Sequence, residues 1–113
     1  MNVRVSAKGV EMDAALQELA ERRVRFGLGR FAPRLDKVRV RLEDVNGPRG
    51  GVDICCQVDV RLTGGGRLLA EDLDEDVRCA LDRAVDKASR AVARQLERER
   101  GERAMTSTEG GGR

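Results

Sequence analysis

The chain has 113 residues, 40% of them apolar, 37% charged and 2% aromatic, with a formal net charge of +2. That length supports one compact domain with a small Val, Leu, Ala and Ile core, and no apolar run approaches the roughly 20 residues that span a bilayer. The absence of His excludes imidazole zinc sites and Ser-His-Asp triads, three Cys make no disulfide framework, and the opening MNVRVSAKGVE has no signal-peptide core, so a cytoplasmic domain without metal or cofactor is expected.

Residues 2–7 alternate Val3 and Val5 with polar neighbours and predict a short strand, with a turn at Gly9. Asp13 is placed to cap a helix running to about Arg30, with Leu16, Leu19, Ala20, Val24, Leu28 and Phe31 at helical spacing. Gly27 and Gly29 weaken its last turns by about 1 kcal/mol each relative to Ala, and Pro33 ends it. Over residues 37–44, Val38, Val40 and Leu42 face one way while Arg39, Arg41 and Glu43 face the other. Arg39 and Arg41 then lie beside Glu43 and Asp59, and cross-strand ion pairing is the preferred account of them.

A turn-rich connection over residues 46–51 leads to the clearest strand, residues 52–62. There Val52, Ile54, Cys56, Val58, Val60 and Leu62 share one face, and Cys55 points away from Cys56. Gly64-Gly65-Gly66 reads as a tight hairpin turn into a fourth strand over residues 67–71. A second helix is predicted from near Asp74 to near Gly101, with Val77, Leu81, Ala84, Val85, Ala88, Val92 and Leu96 as its apolar stripe. The acidic run Glu71 to Asp76 lacks the spacing of a calcium loop and is read as helix capping. The order β-α-β-β-β-α implies a two-layer α+β domain over residues 1–103, a four-stranded mixed sheet with two helices packed on one face. Residues 104–113 are expected to form a flexible tail.

Charge is segregated along this frame. Residues 22–49 sum to +6, residues 68–82 to −5 and residues 83–100 to +3. In the second helix Arg83, Lys87, Arg90, Arg94 and Arg98 recur every three or four residues, within an arc of about 80°. Such a ridge suits contact with phosphates, and it also suits a solvated face that keeps the protein soluble. Asp86 and Glu97 lie toward one side of it, so i,i+4 pairing accounts for part of the charge. Arg22, Arg23, Arg25 and Arg30 form a looser basic group on and after the first helix. Phe26 and Phe31 both lie near that helix, so no aromatic platform for base stacking is expected. Structured RNA, read through backbone and shape, fits better than single strands. No nucleophile has a visible base and no metal set is apparent, so no catalytic residues are assigned and an enzyme is not expected.

The chain resembles the ribosome hibernation-promoting factor / ribosome-associated inhibitor A family over about residues 2–100. The resemblance rests on Val10-Glu11-Met12-Asp13-Ala14-Ala15-Leu16, on the strand pair around Val38–Asp44 and Val52–Leu62, and on Glu75-Asp76-Val77-Arg78-Cys79-Ala80-Leu81-Asp82 running into Asp86-Lys87 and Arg90. Arg78 stands where the family usually has Tyr. The resemblance implies a translation inhibitor that binds the small ribosomal subunit, its ribosomal RNA and the intact ribosome. It would occupy the mRNA-tRNA decoding cleft under stress, with no DNA or membrane partner. By position, Lys87, Arg90, Arg94 and Arg98 match basic positions of the family's second helix, and Arg23 one in the first. Arg30 and Arg83 are added as RNA-binding residues from the charge pattern, not from the family. Long family members carry a further C-terminal ribosome-pairing domain, which this chain is expected to lack. The competing reading is a protein-interaction module that uses the acidic patch or the exposed sheet face and does not bind ribosomes.

Overall fold

Alternation of apolar and polar residues becomes pleat in all four strands of the computed structural model, which describes residues 1–46 and 53–111. The elements are β1 (Asn2–Lys8), α1 (Ala14–Leu28), a 3₁₀ segment (Gly29–Arg34), β2 (Leu35–Asp44), β3 (Ile54–Leu62), β4 (Arg67–Asp74) and α2 (Val77–Gly111). The sheet order is β1-β2-β3-β4. β1 pairs parallel with β2, which requires the crossover that α1 supplies, and the other pairs are antiparallel. This is the expected α+β domain with a four-stranded mixed sheet.

Asp13 caps α1 as anticipated. Its backbone is extended and its Oδ1 accepts a 2.8 Å bond from Leu16 N–H, an interaction typically worth about 1 kcal/mol. The α-helix closes at Leu28, two residues before the expected end, and the chain tightens into the 3₁₀ segment that contains Pro33. Gly27 does more than weaken that last turn. A Cβ there would fall 2.5 Å from Val85 Cγ1, so the missing side chain is what lets α1 approach α2.

Three other boundaries differ from the sequence reading. β4 continues from residue 71 to Asp74, because β3 reaches Ile54 and Ile54 pairs with Asp74. α2 consequently starts at Val77, capped by Asp76, whose Oδ1 accepts a 2.8 Å bond from Arg78 N–H. It then passes Gly101 and runs to Gly111. Val52 and the turn residues 47–51 lie outside the described residues. The Gly64-Gly65-Gly66 turn is as read, with φ of +83°, +103° and +105°, values that only glycine adopts without strain.

The core lies between one sheet face and the two helices. Val38, Val40, Leu42, Cys56, Val58 and Val60 from the sheet are fully buried against Val24 and Leu28 of α1 and Leu81 and Val92 of α2. Ala80, Ala84 and Ala88 give α2 a narrow inner face that lies close on the strands. The opposite sheet face carries Arg4, Arg39, Arg41, Asp59 and Glu71 toward solvent.

Candidate nucleic-acid interface

The helical spacing of the α2 cations survives in three dimensions, but three of the five are already engaged. Because β4 is longer than expected, its inward-alternating Asp72 and Asp74 stand next to α2. Arg83 Nη1 lies 3.0 Å from Asp74 Oδ2. Lys87 Nζ lies 3.2 Å from Asp72 Oδ2 and donates to the Glu71 carbonyl at 3.2 Å. Arg90 Nη2 lies 3.0 Å from Asp86 Oδ2, the i,i+4 pair foreseen in the sequence. Arg94 and Arg98 have no ion pair among the described residues.

The acidic run thus divides its labour. Asp76 caps α2, Asp74 accepts from Asp76 N–H at 2.9 Å and pairs with Arg83, and Asp72 pairs with Lys87. Capping alone does not account for the run. The Leu73 backbone N–H, donating to Asp72 at 2.7 Å, and then Lys87 hold the Asp72 carboxyl below the usual carboxylate range. An acidic surface available to a protein partner is reduced accordingly.

The predicted cations fall into two groups, one on each flank of α2. Lys87, Arg90 and Arg94 border a shallow depression beside Leu69 and Glu71 of β4. On the other flank Arg23 Nη1 lies 3.1 Å from Asp82 Oδ1, tying α1 to α2. Arg30 stacks on Phe31, with Cζ 4.6 Å from the ring centroid, at a cleft of about 600 Å³ shared with Arg34, Leu96, Glu97 and Arg100. Arg34 in turn bonds Glu99 at 2.8 Å. The residues singled out as RNA-binding therefore do not form one continuous stripe.

The cations of these pairs are exposed although Asp72, Asp74 and Glu99 are half-buried, and ion pairs open to solvent contribute about 0–1 kcal/mol. A phosphate can replace such a carboxylate partner at small cost, so the paired cations stay competent for an anionic ligand. Phe26 is 91% exposed on α1, flanked by Leu19, Arg22 and Arg23. The sequence placed it near the helix but not on its outer surface.

The expected pairing of Arg39 with Asp59 does not form. Asp59 instead receives two 2.9 Å bonds from Arg67 across the other side of β3. Arg39 and Arg41 have no ion pair among the described residues. Among the described residues no cluster of His, Cys, Asp and Glu is arranged to hold a metal ion. No described helix is long and apolar enough to cross a membrane.

Residues 3–100 match the family described as sigma 54 modulation protein / S30EA ribosomal protein. No curated protein matches the chain. Among solved structures, the chain is similar to the N-terminal domain of Thermus thermophilus Protein Y, with 25% identity and a TM-score of 0.68 over 83% of this chain and 98% of that one. It is also similar to a ribosomal subunit interface protein from Coxiella burnetii, with 16% identity and a TM-score of 0.71 over 86% and 99% of the two chains, a likeness of fold.

Proposed function

The chain belongs to the sigma 54 modulation protein / S30EA ribosomal protein family, and from that membership we propose that it is a cytoplasmic hibernation factor. In this reading it binds the small ribosomal subunit in the mRNA-tRNA decoding cleft and blocks translation under stress. The family match across residues 3–100 is the observation that carries the reading.

The surface chemistry supports it. Lys87, Arg90, Arg94 and Arg98 lie along α2, and Arg23 and Arg30 along its other flank, so the helical layer offers cations over much of its length. Arg is the residue suited to bidentate phosphate contact, and four of the five ridge positions carry it. Inhibition would follow from occupancy alone, because a body seated in the path of mRNA and tRNA excludes both without any bond being made or broken.

Co-sedimentation of the protein with separated ribosomal subunits and intact ribosomes, at low and moderate salt, tests the reading. Protein that travels with the small subunit and the intact ribosome, and is released by salt, is the expected result. Neutralising about five phosphates gives a log-log salt slope of roughly −3.5 to −4.5. Protein that stays at the top of the gradient even at low salt would overturn the proposal.

A further inference from the structure

The open face of the sheet carries a second set of cations, apart from those of the helical layer. Arg4 and Lys8 of β1, Lys37, Arg39 and Arg41 of β2, and Arg61 of β3 alternate with the buried Val and Leu positions and point away from the helices. None of the six makes an ion pair among the described residues. Four acids share or border the face, of which Asp36, exposed at the irregularity of β2, lines one depression with Arg61 and Arg67. Glu43 stands in register with Lys8, Asp59 is held by Arg67, and Glu71 accepts from Gln57 at 3.1 Å. On α2, Arg83, Lys87 and Arg90 are each paired, while Arg94 and Arg98 have no ion pair among the described residues.

The sheet register brings like charges together. Arg4 is the direct neighbour of Arg39, and Lys37, Arg61 and Arg67 form a row across three strands. Neighbouring strands are about 4.8 Å apart, and like charges directly opposite are destabilising. Solubility alone asks for dispersed charge and gives no reason for this clustering. A bound polyanion removes the repulsion.

We propose that this face, centred on Arg39 and Arg41 and flanked by Arg4 and Arg61, is a second phosphate-binding surface for RNA, so that the domain holds RNA on both of its layers. The face spreads Arg over three neighbouring strands, which suits an extended phosphate backbone better than a single small anion. It presents no aromatic side chain, so it reads charge and not bases. The identity of that RNA as ribosomal rests on the function proposed above; the phosphate chemistry does not.

The test compares wild type, Arg39→Gln/Arg41→Gln and Arg94→Ala in binding to purified small subunits between about 50 and 200 mM salt. Losing two phosphate contacts should reduce the magnitude of the log-log salt slope by about 1.4–1.8. The thermal midpoint of the sheet variant should equal or exceed that of wild type, because like-charge repulsion is relieved. Its loss should add to that of Arg94→Ala, since the two lie on opposite layers. A sheet variant with the wild-type slope and affinity would overturn the inference. If wild type fails to bind subunits, the ribosome reading fails, and the same comparison on a labelled 20-base-pair RNA decides this one. A reduced slope there supports it. An unchanged slope overturns it, as does a variant that loses binding only to phosphatidylserine vesicles.

Discussion

Gly27 of α1 and Val85 of α2 meet where no side chain fits, since a Cβ at position 27 would stand 2.5 Å from Val85 Cγ1. This contact sets how closely the two helices lie, and so how far apart their basic flanks are held. Gly27→Ala gains helix propensity worth about 1 kcal/mol. It also forces an overpacked contact against a buried, β-branched neighbour, which typically costs 1–3 kcal/mol. The expected net is a destabilisation of about 1 kcal/mol in denaturant unfolding. Val85→Ala in the same chain should show positive coupling with it in a double-mutant cycle, and zero coupling would rule this contact out as the cause.

The α2 cations are expected to act in binding and not in folding. The triple variant Lys87→Ala/Arg90→Ala/Arg94→Ala removes two exposed ion pairs and one unpaired Arg. Its thermal midpoint should stay within a few degrees of wild type, because exposed pairs contribute about 0–1 kcal/mol each. Binding to small ribosomal subunits should be abolished. Retention of wild-type binding by a folded triple variant would take this flank of α2 out of the interface.

The three thiols should differ in reactivity by position. Cys79 is exposed, while Cys56 is buried in the core with its pKa pushed to about 12, by burial first and then by Cys55 and Asp72. Cys55 is half-buried, and burial, followed by the charges of Glu71, Glu43 and Asp72, pushes its thiol up. A raised pKa means less thiolate at a given pH, so disulfide-exchange reagents at pH 8 should label Cys79 first and Cys55 slowly. Cys56 should react only on unfolding. Raising the pH should speed the Cys55 phase, and Glu71→Gln should speed it at constant pH. A Cys55 phase faster than that of Cys79 would contradict this order.

Asp72 offers a pH prediction with a definite sign. Its folded carboxyl is depressed, chiefly by the Leu73 N–H and then by Lys87. Its stabilising contribution is therefore present above the unfolded carboxylate value and is lost as pH falls through the lower folded value. In a carboxyl NMR titration Asp72 should titrate below the ordinary aspartate value. Lys87→Ala should raise its midpoint only part of the way, because the Leu73 bond remains. A full return to the ordinary value would make Lys87 the dominant cause instead.

Much of this architecture was legible in the alternation of β3, where Ile54, Cys56, Val58, Val60 and Leu62 are all buried. The α1 cap was legible too, because Asp13 and Leu16 are local in sequence. The junction of β4 and α2 was not, since Glu71 to Asp76 can end a strand or start a helix with equal chemical sense. Only the pairing of Ile54 with Asp74 decides it. The ridge could be read from spacing, whereas its partial neutralisation by Asp72 and Asp74 depends on where β4 lies against α2. Arg39 and Asp59 are indeed register neighbours, yet the diagonal Arg67 on the far side of β3 takes the carboxylate. Nothing local foretells which of two competing guanidinium groups wins.

Among the described residues β1 ends the sheet, and its outer row of backbone N–H and C=O groups has no strand beside it. A second molecule could in principle extend the sheet there, which is the route by which many β-proteins begin to aggregate. Arg4 and Lys8 oppose that growth, because an antiparallel copy centred on Ser6 would set each Arg4 against the other molecule's Lys8. The cations of β1 therefore set a colloidal property as well as a surface potential. High ionic strength, which loosens the protein from any polyanion, also lowers the barrier that keeps one molecule from templating the next.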